Sequence, residues 1–283
     1  MPRPLPPDGR SGLLISDASS LPPTYLIVQI SDVHLTEVGT LGGQRFPRQN
    51  LVSGLATVAE AGLHPDLFLL TGDLADTGSP SCYDDLRTLM DDACDLTAAS
   101  VIYLPGNHDH RDAFRTHLLG HSGGSGPINQ IHWCGGLRIV LLDSSVPGEE
   151  AGALDDETLD FLQEALETPA RHGTLLAVHH PPIPSPIRRM TRIMLRDPER
   201  LANVIEDSDV RLVISGHYHH EEVGTLAGVP VWVSPASAYR MDVLSRDVDR
   251  KVPGAALSLI EITPFTETVS VIPVPVGAGT PQP

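Results

Sequence analysis

Lysine is almost missing from this 283-residue chain. Of its 19 Lys and Arg residues only Lys251 is a lysine, against 36 Asp and Glu, for a formal charge of −17. An acidic field of that size repels a polyphosphate backbone and argues against a general nucleic-acid binder. Aromatic residues make up only 4%, which leaves little to build a stacking platform for single strands. A small anionic substrate remains open, because bound cations reverse the local sign. Cysteine is rare too: Cys82, Cys94 and Cys134 form no CxxC pair and no even framework, which predicts reduced thiols in a cytoplasmic protein. No apolar run approaches the ~18 residues that span a membrane. The Pro-, Ser- and Gly-rich opening has no apolar stretch of signal-peptide length. We expect a disordered leader over 1–23, a single domain over 24–273 and a disordered tail over 274–283.

What is present is an alternation. With 41% hydrophobic residues and a mean hydropathy near zero, the composition is that of an ordinary globular domain. The runs "YLIVQIS" (25–31), "DLFLLT" (66–71), "VIYL" (101–104), "RIVLLD" (138–143), "TLLAVH" (174–179) and "VRLVIS" (210–215) are short, branched and nearly continuous, as strands covered on both faces are. Leu51, Leu55 and Val58 keep helical spacing between them, as do Leu159, Leu162 and Leu166, with Asp155, Asp156 and Glu157 opening the latter helix. This is α/β alternation as far as residue ~215. Beyond it, "EVGTL", "PVWVS", "LSLIEIT" and "VSVIPV" read as strands with no comparable helix between them, and predict an antiparallel sheet packed on the first part.

Polar residues fall where those runs stop. Asp32-Val-His34, Asp73-Leu-Ala-Asp76, Asn107-His108-Asp109, His179-His180 and His217-Tyr-His219 each follow a run, and Asp143 ends a sixth. Each motif alone is equally well a turn or a helix cap. Five coincidences at carboxyl strand ends, where open α/β sheets build their sites, point instead to one convergent site. Asp32 and His34, and likewise His217 and His219, sit two apart and would face one way if their strands continue. The donors are O and N with no thiolate, which suits Zn, Mn, Fe or Co and disfavours a closed structural zinc site. They are too many for one ion and suit two if a carboxylate is shared.

The order D-x-H, G-D-x-x-D, G-N-H-D, H-H-x-P, G-H-x-H, spread over residues 26–235, resembles the calcineurin-like metallophosphoesterases. Within that family "ISDVHL", "TGDLADTG", "GNHDHR", "LLDSSVPG" and "HHPPIPS" are most similar to the bacterial class III cyclic-nucleotide phosphodiesterases of mycobacterial type. The resemblance implies a four-layer αββα sandwich of two mixed β-sheets flanked by helices. It implies that Asp32, His34 and His219 hold one metal ion, that Asn107, His179 and His217 hold another, and that Asp73 bridges them. His108, paired with Asp76, would be catalytic, and Asn107 and His108 would touch substrate. His180 and His220 fall outside the ligand set, as an orienting neighbour and as a supporting or exposed residue. Asp76 stands where purple acid phosphatases carry a metal-binding tyrosine, and Thr77 and Asp109 stand where protein Ser/Thr phosphatases carry Arg and Glu; both departures turn the reading away from those classes.

The implied activity is hydrolysis of 3′,5′-cAMP and/or 2′,3′-cyclic nucleotides by a metal-bridging hydroxide, with His108 protonating the leaving alkoxide. The alternative is a broad phosphodiesterase acting on glycerophosphodiesters or other small diesters; a non-catalytic scaffold would have lost ligands that are all present here. A small phosphodiester is the expected partner, with no nucleic-acid polymer, no membrane attachment and a homodimer suggested by relatives. Asp143 reads as a loop-fixing residue. The basic island "PSPIRRMTRIMLRDPER" reads as a solvated face or subunit contact, or as a source of Arg188, Arg189 or Arg192 overhanging the site.

Overall fold

The computed structural model describes residues 24–42, 45–264, 266 and 268–276; the expected leader lies outside the described residues. The six apolar runs form β1 (Tyr25–Ile30), β2 (Leu67–Thr71), β3 (Ser100–Leu104), β5 (Leu137–Leu142), β6 (Thr174–Val178) and β7 (Val210–Ser215). A further strand, β4 (Gln130–Cys134), precedes β5. Between them lie α1 (Pro47–Glu60), α2 (Pro80–Thr97), α3 (Arg111–His117), α4 (Asp156–Leu166), α5 (Arg188–Arg192) and α6 (Pro198–Ile205). The Asp155 carboxylate accepts from the Thr158 amide at 2.8 Å and caps α4, where the acidic triplet predicts a helix start. Proline opens α1, α2 and α6, where its missing N–H costs no helical bond.

Alternation along each strand sorts its side chains into layers. Ile27, Leu69 and Ile102 face Leu141, Leu175 and Ile214 between two sheets. Val28, Phe68 and Leu70 turn the other way, onto Leu51, Leu55 and Val58 of α1 and Leu86 and Met90 of α2. Val140, Leu176 and Val213 do the same on the second sheet, against Leu159 and Leu162 of α4 and Leu201 and Ile205 of α6. The result is the four-layer αββα sandwich.

The C-terminal strands depart from expectation. They are β8 (Glu222–Leu226), β9 (Val229–Val233), β10 (Arg240–Met241), β11 (Lys251–Val252), β12 (Ala255–Thr263) and β13 (Thr268–Val276). Instead of one sheet of their own, β8, β9, β12 and β13 complete the two existing ones. One sheet has the order β13-β12-β1-β2-β3, and the other β4-β5-β6-β7-β9-β8. β12 runs antiparallel beside β1, and β9 runs parallel beside β7. An open edge at β1 would leave a row of peptide groups unpaired, and β12 satisfies it. It also sends Leu257 to the helical face and Ile260 and Ile262 between the sheets. β13 runs on to Val276, past the boundary expected at 273: Val276 pairs with Ala255, and its side chain packs against Gly54 of α1. β10 and β11 form a separate hairpin.

Candidate metal centre

The loops after β1, β2, β3, β6 and β7 meet at one end of the sandwich, and every expected ligand lies on one of them. β1 stops at Ile30 and β7 at Ser215, so strand alternation does not aim the D-x-H and H-x-H pairs. The backbone turns left-handed instead, with φ of +53° at Asp32, +48° at His34, +53° at Asp73, +68° at His217 and +54° at His219. These are five of the nine non-glycine residues in that region among those described, and each such conformation costs about 1–3 kcal/mol unless its surroundings impose it. Here they do: the Asp32 amide donates to Gly72 O at 3.0 Å, the His34 amide to Asp73 O at 2.8 Å, and the His217 amide to the Asp32 carboxylate at 3.0 Å. The motif glycines let the loops touch. A Cβ on Gly106 would stand 2.3 Å from Asp73 Oδ1, and one on Gly72 2.2 Å from His179 Nδ1.

Four buried imidazoles are held from behind. His34 Nδ1 faces Asp76 Oδ1 at 3.0 Å, His179 Nδ1 faces Thr71 O at 2.7 Å, His217 Nε2 faces Ile193 O at 3.0 Å and His219 Nδ1 faces Tyr239 O at 3.2 Å. Each outer nitrogen meets an acceptor and so carries a proton, which leaves the inner nitrogen as the atom that can face a ligand. The inner Nε2 atoms of His34 and His219 are 3.2 Å apart, a repulsive approach for two lone pairs with nothing positive between them. His179 Nε2 and Asn107 Oδ1 are buried without a hydrogen-bond partner, and such orphans call for a ligand. Asp73 stands between: Oδ2 is 3.6 Å from His34 Nε2, and Oδ1 is 3.4 Å from His179 Nε2. Ligand atoms of Asp32, His34, Asp73 and His219 lie within 4.8 Å of one another, and so do those of His179, His180 and His217. This donor set fits metal ions.

Electrostatics agree. Burial by itself would raise Asp73, yet His179, His108 and His34 hold its carboxyl well below the usual range; His219 and His179 likewise outweigh burial at Asp32 and bring it to about 2. Against the burial that would lower it, Asp73 and Asp32 lift His179 to about 9, whereas burial and His179 push His217 down to about 3. The metal-free centre therefore gathers negative charge that one proton offsets only in part.

Some residues sit otherwise than expected. The Asp76 carboxylate bonds His34, and stands 3.8 Å from His108 Nδ1, which donates instead to the Asp76 backbone carbonyl at 2.7 Å. The reason is reach: the carboxylate points back toward the β1 loop while its own carbonyl faces the β3 loop. His108 Nε2 stays free toward the site, 4.0 Å from Asp73 Oδ2. His108 is raised above an ordinary histidine: burial opposes this, but Asp73 and Asp76 prevail. His180 contributes to the His179–His217 group, with Nδ1 against Ser144 Oγ at 2.7 Å and a buried, unpartnered Nε2. His220 is buried, bonding Ser185 Oγ at 2.9 Å. Asp143 fixes loops as expected, accepting from Arg111, Ile128 and Ser145. Of the basic residues in that island only Arg189 lines the cleft, and Glu150 and Asp249 hold it there. Asp109, whose role sequence reading leaves open, accepts from the Leu74, Ala75 and Gly106 amides and from the Tyr83 hydroxyl, tying the β2 and β3 loops together. Only the fold could reveal that. The cleft over the centre measures about 230 Å³, and Asp73, Asn107, His108, Met190, Tyr239 and Lys251 are among its walls.

The sequence profile of the calcineurin-like phosphoesterases matches residues 25–221. A cAMP/cGMP dual specificity phosphodiesterase of Mycobacterium tuberculosis is 37% identical over 265 residues, covering 91% of this chain and 81% of the relative. A 3′,5′-cyclic adenosine monophosphate phosphodiesterase of Pseudomonas aeruginosa is 32% identical over 235 residues, 82% of this chain and 84% of the relative. Among solved structures, a dimetal phosphatase from Danio rerio superposes with a TM-score of 0.60 at 13% identity, over 89% of this chain and 99% of the other, a likeness of fold.

Proposed function

Because this chain belongs to the calcineurin-like phosphoesterase family, we propose that it is a metal-dependent phosphodiesterase hydrolysing cyclic nucleotides, 3′,5′-cAMP and/or 2′,3′-cyclic nucleotides. The observation that carries this reading is Asp73, which turns one carboxylate oxygen toward His34 and the other toward His179, between two groups of inward-facing ring nitrogens. Asp32, His34 and His219 would hold one cation, Asn107, His179 and His217 would hold the other, and Asp73 would serve both. Fe, Mn, Zn and Co all suit these donors. When bound, two cations supply Lewis acidity toward phosphoryl oxygens and acidify water enough for a nucleophile at neutral pH.

The chain's own residues do the rest. Asn107 and His108 contact the phosphoryl group. The Asp76 carbonyl keeps the His108 proton on Nδ1, so the ring is oriented with Nε2 toward the cleft, and the second proton of the imidazolium passes from Nε2 to the departing alkoxide. Names of relatives that act on cAMP and cGMP support the substrate class. Three free cysteines support a cytoplasmic location, and no described helix is long and apolar enough to cross a membrane. The homodimer belongs to the same proposal and is read from the mass in solution. The test is hydrolysis of 3′,5′-cAMP, 2′,3′-cAMP, glycerophosphodiesters and a bis-aryl phosphate by apoprotein reloaded with Mn, Zn or Fe. Turnover of cyclic nucleotides above the rest is expected. Preference for glycerophosphodiesters would replace the substrate, and inactivity with every metal would remove the enzyme.

A further inference from the structure

The one lysine of the chain lines the cleft above the metal centre. Lys251 opens β11, which pairs with β10, and Met241 of β10 lines the same cleft. Its ammonium lies 4.5 Å from the centroid of the Tyr239 ring, and that ring in turn packs on His219 at 4.2 Å between centroids. Tyr239 is buried, so its ring is held in place where it meets both His219 and the Lys251 ammonium. Arg45 meets the same ring at 5.1 Å.

The two long cations of the cleft differ in what answers their charge. Arg189 pairs with Glu150 and with Asp249, at 2.9 and 3.0 Å. Lys251 has no carboxylate within ion-pair distance among the described residues; its ammonium rests on an aromatic face, and Asp76 and Asp249 act on it only from farther away. Where acidic residues number 36, an exposed ammonium at the cleft with no carboxylate in direct contact keeps its hydrogen-bond donors open to an outside anion. A cation on a flexible stem and anchored by ring contact reaches such an anion as a point charge.

We propose that Lys251 is a substrate-positioning residue whose ammonium pairs with the phosphate charge of the diester as it enters the cleft. This deepens the phosphodiesterase reading and rests on it. The contact is made equally in the ground state and the transition state, so it acts on KM far more than on kcat.

Because no other lysine exists, amine chemistry reports on this residue alone apart from the chain's terminal amine, which serves as the internal control. Burial, with Arg45 nearby, holds the Lys251 pKa below that of an ordinary lysine, which favours reaction. On the metal-loaded protein, labelling by an amine-directed reagent is followed by peptide mass, alone, with 5′-AMP and with adenosine. Slowing at Lys251 by 5′-AMP but not by adenosine is expected. Lys251→Met should raise KM for 3′,5′-cAMP about tenfold or more, the worth of one charge-assisted contact, with kcat changed less than about twofold and Lys251→Arg restoring most of the loss. Unaltered labelling with 5′-AMP, or an unchanged KM in Lys251→Met, would overturn the proposal while wild-type hydrolysis left the phosphodiesterase reading standing. If the wild type itself hydrolysed no diester, the underlying reading would fail instead.

Discussion

An imidazole binds a cation well only when its other nitrogen is already engaged, and here each of the four is. Asp76 engages His34 rather than His108, so its removal acts through a ligand. Asp76→Asn should weaken the cation held with His34 by roughly 10–100-fold, as loss of such supporting partners does, with His108 still oriented by the carbonyl. Metal titration calorimetry checks this, and unchanged affinity would refute it. Asp73 and His108 differ more. Asp73→Ala should abolish activity because both donor groups lose their shared oxygen, while His108→Ala should retain a measurable rate, reduced by about 10²–10⁴, the usual worth of a general acid. Equal residual rates would reverse the ranking. His179 sets a pH dependence. In the metal-free protein it holds a proton up to about 9, and a ligand nitrogen must give that proton up. Metal uptake at neutral pH should therefore release a proton, with affinity rising as pH climbs toward 9. Calorimetry in two buffers of different ionisation enthalpy reads the release, and its absence at pH 7 would contradict the sign.

At the scale of elements, the site depends on loops held rigid at strand ends. Asp109 carries most of that load between β2 and β3. Removing its carboxylate strands three buried amides and the Tyr83 hydroxyl. Asp109→Ala should cost roughly 3–5 kcal/mol, whereas Tyr83→Phe, which deletes a single donor, should cost about 1 kcal/mol. Urea denaturation measures both, and a mild Asp109→Ala would mean that the loops are held elsewhere. The same elements show why some structure escaped the sequence. β4 lies at one edge of its sheet and alternates in exposure, so it does not form the continuous apolar run that marks the central strands. β12 and β13 have legible strand patterns, but nothing local states that β12 closes the edge of β1, more than 200 positions earlier in the chain.

For the whole molecule, two sheets deliver their loops to one end, and the centre they build concentrates buried carboxylates. Cations held as proposed would bind that arrangement and not the unfolded chain, so they should stabilise it. A thousandfold excess over Kd adds about 4 kcal/mol, or roughly 10 °C in a domain of this size. Calorimetric scans with metal and with chelator should differ by that amount, and coincident scans would show that the centre binds no ion.

The sequence alone determined the central strands, the α/β alternation and the polar motifs at the strand ends, because apolar period and polar interruption are local properties of the chain. It could not decide which nitrogen of each histidine turns inward, that Asp76 serves His34, that Asp109 joins two loops, or that Lys251 comes to rest over Tyr239. Those depend on distances between residues far apart in the chain, and only packing sets such distances.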